Sequence, residues 1–343
     1  MKYIKLFENH FEYEDFVSGD TMAKPNVSHC VSENEVHYNP FIRDYSKDYL
    51  TIKALSDGTL GFNPRDINSF EYSLDGGQTW NTATAAEASP FFEVTLSRGD
   101  EVCFKKESSR VSSQRYYGNF YSTCQFEVYG NILSMVYGTG FVGATTISSA
   151  LLGGIFADCT GLVNAKNLVL AATTLADGCY SSMFAGCTSL TIAPELPATT
   201  LAGWCYSSMF AGCTSLTTAP DLPATTLAGS CYREMFIGCT NLTTTPELPA
   251  TTLANECYFD MFQDCTSLTV ASELPATTLA GSCYNSMFYG CTSLTIEAQV
   301  PSSVIPIASD YCHYMYCSCP IRRISGDYSE EAYDCYQQAL PTE

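Results

Sequence analysis

The chain has 343 residues, 46% of them hydrophobic, and 36 acidic against 16 basic side chains give it a formal charge of −20 at pH 7. That is enough apolar material for a sizeable core in more than one domain and too much for a disordered chain, while so acidic a balance argues against nucleic acid as a partner, because phosphate backbones are held by Lys and Arg. Only 15% of residues are charged, where about 25% is ordinary, and Cys, Tyr, Thr and Ala fill the gap, as in a biased repeat.

The chain begins with Lys2, Lys5, Glu8 and Glu12 interrupting any apolar run, so no secretory segment is expected. The greasiest stretch, Ala150 to Ala157, is short and contains two glycines, which predicts no membrane insertion. Folding in a cytosol follows as the expectation, and with it 18 cysteines that are thiols or metal ligands rather than a disulfide framework. Residues 1–47 read as an N-terminal arm with a helix candidate from Glu8 to Val17 closed by Gly19. Two short motifs follow, Lys24-Pro25-Asn26-Val27-Ser28 and Glu35-Val36-His37-Tyr38-Asn39-Pro40. Together they resemble a leader segment on virion appendage proteins of crAss-like and related phages of gut bacteria. The resemblance implies that these residues anchor the chain to a capsid or tail protein.

From 48 to 137 the pattern alternates, with Leu50, Ile52 and Ala54, then Phe92, Val94 and Leu96, then Val102 and Phe104, then Phe126 and Val128. Turns at Ser56-Asp57-Gly58, Asp75-Gly76-Gly77 and Arg98-Gly99-Asp100 separate them, predicting a small antiparallel β-sandwich-like domain. Ser73-Leu74-Asp75-Gly76-Gly77-Gln78-Thr79-Trp80 resembles the Asp box of sialidases, which stabilises a hairpin turn and packs a Trp beneath it. A single copy without an arginine cluster reads as structural; its alternative is a glycan-cleaving enzyme. Arg98-Gly99-Asp100 resembles an integrin ligand but between two strands reads as a turn.

Residues 138–154 form a connector, and from 155 to 319 the chain repeats itself every 26 residues. Cys179, Cys205, Cys231, Cys257 and Cys283 keep this period, as do Cys187 through Cys291, Met183 through Met287, Phe184 through Phe288 and Leu190 through Leu294. The unit is CYxxMFxGCTSLTxAPELPATTLAxx, in five full copies flanked by two degenerate ones. A unit this short cannot bury its own apolar positions, so like residues must stack about 4.8 Å apart. Each CYSSMFAGC run suits one or two helical turns and each LTxAPELP a brief strand. GCTSLTxAPELP after MF resembles the BspA-like leucine-rich repeat. The fold class expected is therefore α+β: an arm, a β-sandwich-like domain, a leucine-rich-repeat solenoid of 26-residue units, and a helical cap over 320–343.

Several rows emerge from the register. Paired cysteines eight apart on a helix lie about 12 Å apart, too far for a disulfide, so the thiols are expected to fill the core. Glu195, Asp221, Glu247 and Glu273 form an acidic row, either solvated or facing a cation or basic partner. Between Cys179 and Ile296 eight acidic side chains face only Arg233, so that surface does not bind polyanions. Tyr180, Tyr206, Tyr232, Tyr258 and Tyr284 form an aromatic row that either faces a ligand such as a sugar ring or lines the core. The Thr199-Thr200 pairs are expected to leave one exposed Thr per unit.

At the C-terminus Cys312, His313, Cys317, Cys319 and Cys335 are numerous enough for zinc but lack a CxxC pair, so no metal and no cofactor is expected. Asp327 with Glu330, or Ser329, caps a helix through Tyr333, Tyr336 and Leu340 that ends at Pro341. The expected function is a non-enzymatic virion protein, head or tail fibre-like. It is assembled in the host cytoplasm and homo-oligomeric, a trimer by analogy with appendage proteins, and it displays the repeats to a host surface glycan or protein. Many weak identical sites suit avidity. The alternative is a BspA-like bacterial surface or interaction protein.

Overall fold

The computed structural model describes residues 43–64, 69–84, 92–107, 118–147 and 152–295, together with Met315 and Cys319. In the arm only the paths of four strands are described. β1 (Lys2–Phe7) pairs antiparallel with β2 (His10–Asp15), and β3 (Ser28–Ser32) with β4 (Glu35–Asn39). The expected helix over Glu8 to Val17 is thus replaced by a strand, consistent with the alternation in His10-Phe11-Glu12-Tyr13. Lys24, Pro25, Asn26, Val27 and Pro40 lie outside the described residues, as do Cys312, His313, Cys317, Cys335 and the predicted cap helix, whereas Glu35, Val36, His37, Tyr38 and Asn39 lie on β4.

Two sheets face each other in the next segment. Strands β5 (Leu50–Ala54), β7 (Ser69–Ser73), β8 (Asn81–Thr84), β10 (Glu101–Lys105) and β12 (Phe126–Asn131) form one, in the order β12-β5-β10-β7-β8. Strands β6 (Gly58–Pro64), β9 (Phe92–Leu96) and β11 (Gly118–Ser122) form the other, in the order β11-β6-β9. Phenylalanines fill the space between them edge to face, Phe62 on Phe70 at 5.4 Å and Phe104 on Phe120 at 4.9 Å. A four-residue helix, α1 (Ser134–Tyr137), closes this layer. β13 (Leu162–Val169) then returns to pair parallel with β12, so the larger sheet is mixed and its edge belongs to the first repeat. The aromatic core runs on without a break, from Phe120 to Phe156 at 5.4 Å and to Phe184 at 5.7 Å.

The repeats correct the expected fold class. About 25% of the chain is strand and 4% helix, so it is not α+β, and the units form an open ladder of turns with no closed solenoid and no helix per unit among the described residues. The reason is visible in the backbone. Gly178, Ser182 and Gly186 all have positive φ, as do Trp204, Ser208 and Gly212 and their equivalents in later units. Between these left-handed residues the amides alternate. Ser181, Met183, Ala185 and Cys187 donate to the carbonyl three residues back, whereas Gly178, Tyr180, Ser182, Phe184 and Gly186 donate to the next unit, at Gly203, Cys205, Ser207, Met209 and Ala211. Every second amide is therefore satisfied along the chain and every other one across the stack, a pairing that no helix allows. The expected short strand in LTxAPELP shrinks to single parallel bridges, Asn164 with Ile192 and Thr244 with Val270, and further single bridges fall outside it, such as Thr200 with Thr226.

This turn geometry puts residues two in, two out. Cys179-Tyr180, Met183-Phe184 and Cys187 are fully buried and their neighbours reach the surface. Like then stacks on like. Phe184, Phe210, Phe236, Phe262 and Phe288 follow one another at 5.4 to 5.6 Å within 7° of parallel. On the Thr edge both members of each pair are exposed, at Thr199-Thr200 and Thr225-Thr226 alike, rather than the single one expected. The chain there makes a bend at the isolated bridge instead of a flat strand.

Candidate functional site

All five tyrosines of the aromatic row are buried, Tyr180 to Tyr284 stacking at 5.9 Å. They line the core and cannot face a ligand, which corrects that expectation. Burial pushes their phenols up, and the hydroxyls of Tyr180, Tyr206 and Tyr258 have no hydrogen-bond partner among the described residues, each a cost of about 1–3 kcal/mol.

The two cysteine rows are also buried, and Cys179, Cys205, Cys231, Cys257, Cys187, Cys213, Cys239, Cys265 and Cys291 are free thiols. They differ in role. Cys187, Cys213, Cys239, Cys265, Cys291 and Cys319 each donate from Sγ to the Phe carbonyl one unit back, at 2.9 to 3.1 Å. That carbonyl already accepts the amide of the cysteine in its own unit, as Cys187 to Phe184, so the thiol fills its second lone pair. Burial pushes the Cys239 thiol up to about 12, which keeps it a protonated donor and a poor nucleophile.

The Asp box is used up by its own turn. The Asp75 carboxylate accepts the amides of Gln78 and Thr79 and the Thr79 hydroxyl, and Ser73 donates to it at 2.7 Å. These bonds, Thr79 first, lower its pKa to about 2. Trp80 donates to the Gly77 carbonyl and stacks under Lys105 at 4.1 Å, whose ammonium pairs with Glu71 at 2.9 Å. Arg98-Gly99-Asp100 joins β9 to β10, with Asp100 accepting from the Ser97 amide. No group of three metal-ligating side chains occurs among the described residues, and no described helix is long and apolar enough to cross a membrane.

Two surfaces of the stack remain. On one edge the acidic row, Glu195, Asp221, Glu247 and Glu273, is exposed while the alternate residues Leu196, Leu222, Leu248 and Leu274 are buried. Asp221 and Glu247 line an open cleft of about 590 Å³ walled by Leu222, Pro223, Pro246 and Pro249.

A second surface is carried by the positions of the turn run between the buried columns, where Trp204, Asp264 and Tyr289 are exposed, most others are partly covered, and Ser207 and Ser230 are buried. There the units stop being alike. Where the first unit has Gly178, Ser181, Ser182 and Ala185, the second has Trp204, Ser207, Ser208 and Ala211, the third Ser230, Arg233, Glu234 and Ile237, the fourth Glu256, Phe259, Asp260 and Gln263, and the fifth Ser282, Asn285, Ser286 and Tyr289. At its centre the Arg233 guanidinium lies 4.2 Å from the Phe259 ring and 5.7 Å from the half-exposed Trp204, while Nε donates to Glu234 at 3.0 Å and Nη1 to Glu256 at 2.6 Å. Desolvation, then Glu234, pushes the neighbouring Asp260 carboxyl up to about 6. The predicted site residues do not include this face. Its signal was the x positions of the repeat, which a consensus averages away.

No known protein-family profile matches the chain, and no curated protein or solved structure is significantly similar to it.

Proposed function

We propose that the chain is a non-enzymatic recognition protein of the virion-appendage kind. The arm, residues 1–47, with Lys24 to Val27 and Glu35 to Pro40, holds it to a capsid or tail protein, and the stack presents its outward face to a host surface. One observation carries the recognition half of this reading. Within the turn run the positions that repeat without change, Cys, Tyr, Met and Phe, are buried columns, whereas the positions between them, most of them at least partly exposed, differ in chemistry from unit to unit. Buried columns explain themselves through packing; a surface that abandons the repeat does not, and exposed aromatic and charged side chains on a rigid frame are the usual material of binding sites. The buried, protonated thiols and the self-saturated Asp box offer no reacting group.

The attachment half rests on the resemblance of the two short motifs in the arm. Particles made with a chain lacking residues 1–47 test it. Absence of the soluble truncated protein from purified particles supports anchoring, and its retention at full occupancy overturns it.

A further inference from the structure

The smaller sheet of the sandwich ends, on the side away from the stack, in an unguarded strand. At its near side β11 meets the repeats, the Phe120 amide donating to the Ile155 carbonyl at 2.9 Å and the Asn119 side chain to the Ala157 carbonyl at 2.8 Å, whereas β9 at the far side pairs with β6 alone. The pairing of β6 fixes where the free backbone groups of β9 point. The Thr59 amide donates to the Thr123 hydroxyl and the Thr59 carbonyl accepts the Thr123 amide, so Thr59 and Gly61 turn their backbone groups toward β11. Gly58, Leu60 and Phe62 therefore turn theirs toward Leu96, Val94 and Phe92 of β9. The amides and carbonyls of Glu93 and Thr95 are left pointing off the edge, with no backbone hydrogen bond on that side to a described residue.

Natural sheets blunt such an edge with Lys, Pro or a bulge; Phe92-Glu93-Val94-Thr95-Leu96 has neither residue, and its register with β6 runs without a shift. Its one charge is drawn away from the edge, because the Tyr121 ring lies over Gly61 and its hydroxyl donates to the Glu93 carboxylate at 2.8 Å. Val94 packs against the core and yet stays only partly buried. The strand is also complementary to itself. Turned about a two-fold axis at Val94, a second β9 sets Glu93 opposite Thr95 and Thr95 opposite Glu93, so every outward amide meets an outward carbonyl. On the core face Phe92 falls opposite Leu96 and Val94 opposite Val94, and no carboxylate faces its own copy. An axis at Glu93 instead would set that carboxylate against itself.

We propose that β9 pairs antiparallel with β9 of a second copy of this chain about Val94, giving a two-fold dimer in which the smaller sheets run on into one another. Such an edge is closed by two copies rather than by the three that appendage analogy implies. Each copy's repeats then lie on the far side of its sheet from the joint. This joint is independent of the recognition reading above, and failure of either leaves the other standing.

Sedimentation equilibrium of the full chain, 37.4 kDa as a monomer, reads the assembly directly, and the mass of two chains is expected at micromolar concentration. Thr95→Pro removes an amide that β6 does not use, at an edge position where proline is tolerated, and is expected to weaken the dimer at least tenfold with unchanged circular dichroism. Val94→Cys sets one thiol opposite its own copy in a pair that lacks hydrogen bonds, with Cα atoms about 4.5 Å apart and within reach of a disulfide. Glutathione disulfide is expected to convert it to a covalent dimer on a non-reducing gel, which neither the parent chain nor Val94→Cys/Thr95→Pro gives. Should Thr95→Pro disturb the circular dichroism, the Val94→Cys cross-link alone decides. A parent chain still monomeric at hundreds of micromolar, a mass of three chains, a well-folded Thr95→Pro variant that dimerises as tightly as the parent, or cross-linking of Val94→Cys no greater than that of the parent each overturns the assignment.

Discussion

Replacing Phe236 by Ala removes one ring from the middle of the aromatic column. Phe236 is fully buried and lies 5.5 Å from Phe210 on one side and 5.5 Å from Phe262 on the other. Loss of a buried phenylalanine to Ala costs about 3–5 kcal/mol, and the upper part of that range applies here because the hole cannot close. The units above and below are pinned by backbone bonds at the same level, Phe210 to Met235 and Phe236 to Met261, both 2.9 Å. Two stacking contacts disappear at once, and in a stack held by nearest-neighbour interfaces the damage falls on both. We therefore expect Phe236→Ala to destabilise by about 4–5 kcal/mol and to lower the urea m-value as the stack melts in two parts. Ile237→Ala, one residue on but on the outward face, is expected to cost less than about 1 kcal/mol. Urea titrations followed by near-ultraviolet circular dichroism measure both. A difference under about 1 kcal/mol between the two variants refutes the column as the source of stability.

Two further outcomes follow from the same geometry. Cys239→Ser keeps the donor to the Phe210 carbonyl and is expected to cost less than Cys239→Ala, which loses both the bond and the sulfur's volume, together about 1–2 kcal/mol; paired thermal melts decide, and equal losses contradict the thiol ladder. Asp260 is held up near pH 6 against about 4 in an unfolded chain, so between these values the folded state binds the extra proton and stability through this group rises as pH falls, the penalty being full above pH 6. The groups facing it are Glu234, Arg233, Asp264 and Ser286. Asp260→Asn, which suits the φ of +53°, is expected to be more stable than the parent at pH 7 and to lose that slope; melts at pH 4.5 to 7.5 that run parallel for both proteins refute it.

The sequence made the register plain and the local conformation not. Cys, Met, Phe and Leu at a constant 26-residue offset require columns, and the columns are there. Whether the run from Cys179 to Cys187 is a helix was a different question. Buried residues at 179, 180, 183, 184 and 187 fit a 3.6-residue period as well as the four-residue period of consecutive turns, and nine residues are too few to separate them. The left-handed residues that decide it include Ser182, Ser208, Glu234 and Asp260, which carry no glycine signature. In the facing sheets, β5, β9, β10 and β12 follow the alternating apolar runs, whereas Gly58-Thr59-Leu60-Gly61-Phe62 and Gly118-Asn119-Phe120 conceal β6 and β11 behind glycines. Those glycines serve close approach: a Cβ on Gly61 would collide with the Tyr121 ring on the neighbouring strand. The recognition face was legible only as what the repeat fails to repeat.

The most direct test of register is a pair of deletions in the turn run. Removing residues 207–232 joins Tyr206 to Arg233 and takes out one whole period, so CY, RE and MF keep their in-and-out order. Removing 207–231 joins Tyr206 to Tyr232 and moves every later side chain by one position. In-register stacking predicts that the 26-residue deletion unfolds cooperatively and gives a particle about 5 Å shorter by small-angle scattering, while the 25-residue deletion loses the cooperative transition. Two deletions that unfold alike would contradict it.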